Sequence, residues 1–463
     1  MIELDAAVSQ KIQWAKNNPS LCFFPYDTID LRLPNVRSNQ IRVSCCCNLE
    51  LPLRLDRIDS DPFVDLKNKM NHGHLPKDCA RCIHEENTGG VSERVRDILG
   101  RDMQELANFA NTRKTNSFEL RVLISNVCNL ACRSCDPYSS STFAKISNLD
   151  HLKHLQLDVT EIELFWKLIT KSIRENIAKS DNFYVHFMGG EPLLHKGSVK
   201  ILDWLITNHL HTLTKVRITT SINVAIDNNL LIKLDQFRAI EFILSIDSVH
   251  ENYHYVRWPG KFSKTVNNLN ELVDYKLQSP SDTKFNYILS PVFSLNNIFY
   301  INDYLDFWYS WSKSKQHMPF FLNTNLQYRS RHLDVQALPL QYRPYLKNLL
   351  EQALVHPILS DYHDNMQHLF NFLTRTLQEL DQWPEDAVLW NTFLLHTAEF
   401  DTRTNTKFNL LNDRLYHILT EQDRKLFEQK LLAVNKQRKI DFYRINDYTQ
   451  IQLHSAGSNL SGR

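Results

Sequence analysis

Leu120-Arg121-Val122-Leu123-Ile124, followed by Cys128-Asn129-Leu130-Ala131-Cys132-Arg133-Ser134-Cys135, is the stretch from which the rest of the chain is best read. The apolar run reads as a strand, and three thiols leave its end together. With three residues and then two between the sulfurs, one loop can wrap three corners of a four-iron cluster and leave the fourth iron without a protein ligand. An iron with an open position binds a substrate or cofactor, whereas clusters held by four thiolates carry electrons or hold structure. In isolation the motif also fits a zinc knuckle short of one ligand, or three buried cysteines.

The strand before this loop is the first of a series. Phe118 to Ile124, Asn182 to Phe187, Lys215 to Thr220, Ile240 to Ile246, Lys284 to Leu289 and Pro319 to Asn323 have strand character. Val199 to Leu210, Asn228 to Phe237, Phe262 to Leu277 and Ile298 to Trp311 are amphipathic at helical spacing. Six strands with intervening helices predict an α/β fold with a parallel sheet, either doubly wound or a partial (β/α)6 TIM-type barrel. In both, the site lies at the C-terminal strand ends. The motifs fall there: the cysteine loop after the first strand, Met188-Gly189-Gly190-Glu191-Pro192 after the second, Ser221-Ile222-Asn223 after the third, and Ser245-Ile246-Asp247-Ser248 closing the fourth. Glycine is scarce, 10 residues in 463, against about 7% in typical chains. Gly89-Gly90 and Gly189-Gly190 therefore mark backbone that must turn sharply or approach a ligand closely.

Residues 1–112 read as a small N-terminal cysteine-rich α+β domain. All nine cysteines lie in the first third of the chain, at 22, 45, 46, 47, 79, 82, 128, 132 and 135, and residues 136–463 have none. An odd count with short-spaced sets fits metal or cluster ligation in a reducing compartment better than a secreted disulfide framework. Cys79 and Cys82, with Cys22 and one of the triplet Cys45-Cys46-Cys47, make up four thiolates, a count that suits zinc or a fully ligated 4Fe-4S cluster. Asp30 to Leu33 and Gln40 to Ser44 read as small strands, with a hairpin leading into the triplet. Period 2 through Ile41, Val43 and Cys45 puts Cys45 on the apolar face and Cys46 on the other. A helix is predicted from Ser92 to Leu106 with Ser92 as its cap, and Arg94 and Arg96 on its solvated face.

Residues 113–330 form the barrel, and 331–463 a C-terminal helical extension rich in Leu, His, Gln and aromatic residues, in which Trp383 and Trp390 read as core. Lys plus Arg at 53 against Asp plus Glu at 52 leaves a net charge of +1. No overall field recruits nucleic acid or an anionic membrane. No apolar run reaches the roughly 18 residues of a membrane span, and a cytoplasmic location is expected.

Cys128-x3-Cys132-x2-Cys135 with Gly189-Gly190-Glu191-Pro192 at the next strand end resembles the radical S-adenosylmethionine (radical SAM) enzymes. Cys22, the triplet, and Cys79-x2-Cys82-x3-Glu86 leading into Gly90-Val91-Ser92-Glu93-Arg94 resemble the auxiliary-cluster region of twitch or SPASM-type members. Ser245-Ile246-Asp247, Tyr255-Val256-Arg257-Trp258-Pro259-Gly260 and Phe400-Asp401-Thr402-Arg403 resemble twitch-domain radical proteins. The resemblance implies that Cys128, Cys132 and Cys135 ligate a 4Fe-4S cluster whose fourth iron binds S-adenosylmethionine. Gly189, Gly190, Glu191 and Pro192 would meet its methionyl group, and Thr220, Ser221, Ser245 and Asp247 its ribose and methionyl parts; Asp247 reads equally as a turn or helix cap. It further implies a second, auxiliary 4Fe-4S cluster on Cys22, Cys46, Cys79 and Cys82, with Cys46 taken from the family spacing. The partners it implies are a peptide or protein substrate and an electron donor such as flavodoxin or ferredoxin. Ser134 stands where many such enzymes carry an aromatic residue, and Ser221 where twitch-type proteins often carry Asn. A radical enzyme for a small metabolite or nucleoside, and a non-catalytic zinc or iron-sulfur module, are the alternative functions.

Overall fold

The computed structural model describes residues 6–32, 42–46, 49–52, 61–74, 79–87, 92–149, 159–315, 320–321, 325–326 and 330–437. Its strands are β1 (Thr28–Arg32), β2 (Arg42–Cys46), β3 (Leu49–Pro52), β4 (Ser117–Leu123), β5 (Ala131–Cys132), β6 (Asn182–Met188), β7 (Thr214–Thr220), β8 (Ala239–Leu244), β9 (Arg257–Trp258), β10 (Lys284–Leu289), β11 (Val292–Phe293), β12 (Phe320–Phe321) and β13 (Asn325–Leu326). Nine form one sheet in the order β12-β10-β8-β7-β6-β4-β1-β2-β3. From β12 to β1 every pairing is parallel, and β2 and β3 add antiparallel strands at one edge.

The order β4-β6-β7-β8-β10-β12 follows the chain without reversal. A doubly wound sheet needs a reversal, which is its switch point, so the sheet is of the singly wound, partial-barrel kind. Alternation explains its two faces. Leu120, Val122, Phe183, Val185, Phe187, Val216, Ile218, Phe242 and Leu244 enter one apolar core with residues of the covering helices such as Leu202, Leu205 and Leu272. Each such side chain contributes about 1.5–3 kcal/mol on burial. The opposite face is charged. Glu119 accepts from Arg121, Arg217 and His186 at 2.9, 2.8 and 2.7 Å, and Arg217 reaches Glu241 at 2.6 Å. Burial alone would raise the Glu119 carboxyl, but the two guanidinium groups and His186 hold it well below the usual carboxylate range.

Two expectations for the first unit are corrected. The helix predicted from Ser92 to Leu106 is two helices, Glu93–Leu99 and Met103–Thr112. Ser92 caps the first by accepting from Val95 N at 3.1 Å, and Asp102 caps the second by accepting from Glu105 N at 2.7 Å. Arg94 is buried, not solvated: it pairs with Glu86 and donates to the carbonyls of Asn18, Leu21 and Ala15. The side chain of Arg96 lies outside the described residues, as do Cys47, Gly89 and Gly90. Cys45 is buried and Cys46 half-buried, but β2 does not alternate: Ser44 is buried too, and a bulge shifts the β2–β3 register between Ser44 and Cys46. β1 pairs parallel with β4, so the sheet runs on into the N-terminal region. Helices Arg343–Leu354, His363–Glu379 and Ala387–Thr404 bury Leu346, Leu369 and Phe393 in the same core as the sheet. No helix among the described residues is long and apolar enough to cross a membrane.

Candidate active site

At the C-terminal ends of β4, β6, β7 and β8 a cavity with about 610 Å³ of space, partly open to solvent, is lined by Cys128, Cys132, Cys135, Ser134, Gly190, Glu191, Thr219, Thr220, Ser221, Ser245 and Arg257, among others. The cysteine loop is held from several sides. Helix Ser141–Ile146 presents its first turn: Ser141 Oγ accepts from Cys128 N at 3.1 Å, Thr142 Oγ1 donates to Cys128 O at 2.6 Å, and Ser140 Oγ donates to Leu130 O at 2.5 Å. β5, inside the motif, pairs antiparallel with β9 in a register that sets Cys132 opposite Arg257. Arg133 turns away from the cavity, fully buried. It donates to Tyr255 O at 2.9 Å, forms an ion pair with Asp401, and lies 3.5 Å from the Tyr255 ring centroid and 4.3 Å from that of Phe400.

The glycine pair follows from this packing. Gly189 and Gly190 sit at φ +79° and +56°, and a Cβ on Gly190 would come within 2.4 Å of Val127 O. Glu191 N donates to that same carbonyl at 2.8 Å, so the turn after β6 is laid directly on the cysteine loop. The Glu191 carboxylate is buried and ties two strand ends together. One oxygen accepts from Thr220 Oγ1 at 2.7 Å and Leu193 N at 3.3 Å, the other from Ser221 N at 2.9 Å and Ser221 Oγ at 2.7 Å. Beyond it Ile222 holds a left-handed conformation at φ +49°, which costs a β-branched residue of order 1–3 kcal/mol. Its N–H donates to Thr220 Oγ1 at 2.9 Å and its carbonyl accepts from Asn268 at 2.8 Å.

Residues 122–299 match a family model described as the Radical SAM superfamily. The match spans less than half of the chain, and this segment is similar to radical SAM domains. Among curated proteins none matches the chain in sequence. Among solved structures it is similar to native anSMEcpe with bound AdoMet, at 20% identity and TM-score 0.35, covering 51% of this chain and 60% of that one. It is also similar to Streptococcus suis SuiB bound to S-adenosylmethionine, at 14% identity and TM-score 0.32, covering 70% and 67%. The chain thus spans 60% of the length of the first of these.

The donor set of this segment suits a 4Fe-4S cluster by ligand type, although among the described residues its three thiols are not arranged as a group that holds a metal ion. Cys128, Cys132 and Cys135 are free thiols on one cavity wall, the ligand type a 4Fe-4S cluster takes. Burial pushes all three thiols up, Cys132 to about 12 against the pull of Arg257. Cluster assembly must therefore release protons. Of the other sequence candidates, Gly190, Glu191, Thr220, Ser221 and Ser245 line the same cavity, while Gly189, Pro192 and Asp247 are not among its lining residues. Asp247 is buried and turned to Arg257 at 2.7 Å, and its other oxygen accepts from Val292 N at 3.0 Å.

Sequence reasoning missed Arg257 and Thr219 as site residues. Arg257 Nη1 reaches Cys132 Sγ at 3.6 Å, and Thr219 links the cavity to His186 at 2.8 Å and so to Glu119. Arg257 belonged to a quoted motif, but its partner is 125 residues away. Upstream, Cys22 and Cys79 are half-buried and Cys82 buried. Burial pushes the Cys22 thiol up, helped by Cys46, then by the Asp97 carboxylate and least by Cys79. Among the described residues, no group of three or more His, Cys, Asp or Glu is arranged to hold a metal ion.

Proposed function

We propose that this chain is a radical SAM enzyme acting on a peptide or protein, by crosslinking, epimerisation or thioether formation. The observation that carries the reading is one cavity at the strand ends that gathers the three motif thiols with the Gly190-Glu191 turn and the Thr220, Ser221 and Ser245 strand ends. When bound there, a 4Fe-4S cluster and S-adenosylmethionine supply one-electron cleavage of the sulfonium and an adenosyl radical that abstracts hydrogen. Cys128, Cys132 and Cys135 would hold the cluster. Glu191 fixes Thr220 and Ser221, Gly190 lets the turn after β6 lie against the Val127 carbonyl of the cysteine loop, and Ser245 offers a hydroxyl at the fourth strand end. Ser134, where many such enzymes carry an aromatic residue, offers no ring to hold an adenine.

We also propose an auxiliary 4Fe-4S cluster on Cys22, Cys46, Cys79 and Cys82. In its support, Cys22 feels both the Cys46 and the Cys79 thiol. Arg94 joins the Cys82 helix, through Glu86, to the carbonyl of Leu21 beside Cys22. The peptide class and an electron donor of the flavodoxin or ferredoxin kind follow from the resemblance of this region and of the Tyr255 and Phe400 motifs.

Anaerobic incubation of the reconstituted chain with S-adenosylmethionine, dithionite and a panel of short peptides, nucleosides and small metabolites tests the substrate class by mass spectrometry. A peptide mass change accompanied by 5'-deoxyadenosine supports the reading. Release of 5'-deoxyadenosine stimulated by nucleosides or small metabolites, and by no peptide, overturns the peptide assignment.

A further inference from the structure

Arg257 is placed against the cysteine loop by backbone. In the β5–β9 ladder Cys132 and Arg257 are direct partners, and Arg133 N donates to Val256 O at 2.8 Å beside them. Residues directly opposite in an antiparallel pair project to the same side. The guanidinium accordingly sits with Nη1 3.6 Å from Cys132 Sγ, within reach of a hydrogen bond to sulfur. Its other end is held by Asp247, Nη2 to Oδ2 at 2.7 Å. Asp247 is fixed in turn by Val292 N at 3.0 Å and, through its own carbonyl, by Asn297 Nδ2 at 2.7 Å. Arg257 is 8% exposed and Asp247 1%. A buried charge acts through a low dielectric, where its effect on a neighbouring charge is many times that in water.

We propose that Arg257 and Asp247 form an electrostatic couple that sets the reduction potential of the cluster held by Cys132. This rests on the reading that Cys128, Cys132 and Cys135 hold a four-iron cluster. One-electron reduction by an external low-potential donor adds one negative charge to the cluster and its thiolates. The guanidinium at Cys132 Sγ stabilises the added charge, and the Asp247 carboxylate cancels part of that stabilisation. Hydrogen bonds to cluster sulfurs and nearby charge are general determinants of such potentials. Both residues are positioning residues for the cluster, and their opposite charges give opposite signs.

The test is an EPR-monitored redox titration of the reconstituted full-length chain as wild type, R257Q, R257K and D247N, with iron content and S-adenosylmethionine affinity measured alongside. R257Q is expected to shift the potential to more negative values, D247N to more positive values, and R257K to stay near wild type. Equal potentials in all four proteins, or shifts of the same sign in R257Q and D247N, overturn the proposal. So does a loss of S-adenosylmethionine affinity in R257Q at unchanged potential, which would make the guanidinium a ligand contact. If R257Q fails to retain iron, D247N decides, and the absence of a positive shift overturns the proposal. A wild-type signal that does not depend on Cys128, Cys132 and Cys135 refutes the cluster reading itself, and the proposal with it.

Discussion

At the scale of single residues, Gly190 shows how one atom would disturb the site. A Cβ there would meet Val127 O at 2.4 Å and the residue sits at φ +56°, whereas Gly73, at φ +78°, has nothing within 4 Å of its would-be Cβ. Gly73→Ala is expected to cost about 1 kcal/mol, the left-handed penalty alone. Gly190→Ala is expected to cost at least about 2 kcal/mol more, because backbone must also move. Urea denaturation of both variants checks this, and equal losses would show that the loop-on-loop packing is not tight. Gly190 was legible in the sequence because the chain spends so little glycine. Arg94 was not: its carbonyl partners at Asn18, Leu21 and Ala15 lie more than seventy residues upstream, and no local periodicity separates a buried arginine from a solvated one.

At the scale of elements, helix Ala387–Thr404 reaches from the C-terminal region to the cysteine loop. Arg133 and Asp401 form a buried pair, and Phe400 packs on Phe143 with ring centroids 5.8 Å apart. Removing one member of a buried pair costs about 3–5 kcal/mol. Asp401→Ala should therefore destabilise the protein by that amount and reduce iron retention, and adding Arg133→Leu should cost less than the sum of the two single changes. Additive losses would mean that the two residues act independently. The same helix carries Glu399, whose carboxylate oxygens are buried without hydrogen-bond partners. Burial raises its pKa from 4.5 to about 7 against the pull of Arg403. Between those values the unfolded chain loses the proton and the folded chain keeps it. Stability then falls as pH rises, by up to about 1.4 kcal/mol per unit, and levels off above the folded value. Glu399→Gln should raise the melting temperature at pH 8 and leave it unchanged at pH 4; parallel curves for the two proteins would contradict this. The six barrel strands were readable because a strand between helices and sheet shows its apolar pattern locally. The break at Gly100-Arg101-Asp102 was missed although Asp102 and Glu105 stand at capping spacing, because the helical pattern continues across it.

At the scale of the whole molecule, the strand order runs with the chain from β4 to β12, so the four motif-bearing strand ends stand side by side. That juxtaposition was legible as soon as the motifs were found at successive strand ends. The couplings that complete the site were not, since Cys132 meets Arg257 and Arg133 meets Asp401 across 125 and 268 residues. The division between a radical cluster and an auxiliary one makes a claim about the entire chain. Two four-iron clusters require about eight irons and eight sulfides per chain after anaerobic reconstitution. The most direct measurement is reductant-dependent release of 5'-deoxyadenosine from the full-length chain, compared with its cysteine variants. The wild type should release it, the combined Cys128→Ala, Cys132→Ala and Cys135→Ala variant should release none, and the Cys79→Ala, Cys82→Ala variant should keep some release while losing substrate turnover. Release that survives loss of Cys128, Cys132 and Cys135, or colourless anaerobic protein holding stoichiometric zinc, would contradict the central claim.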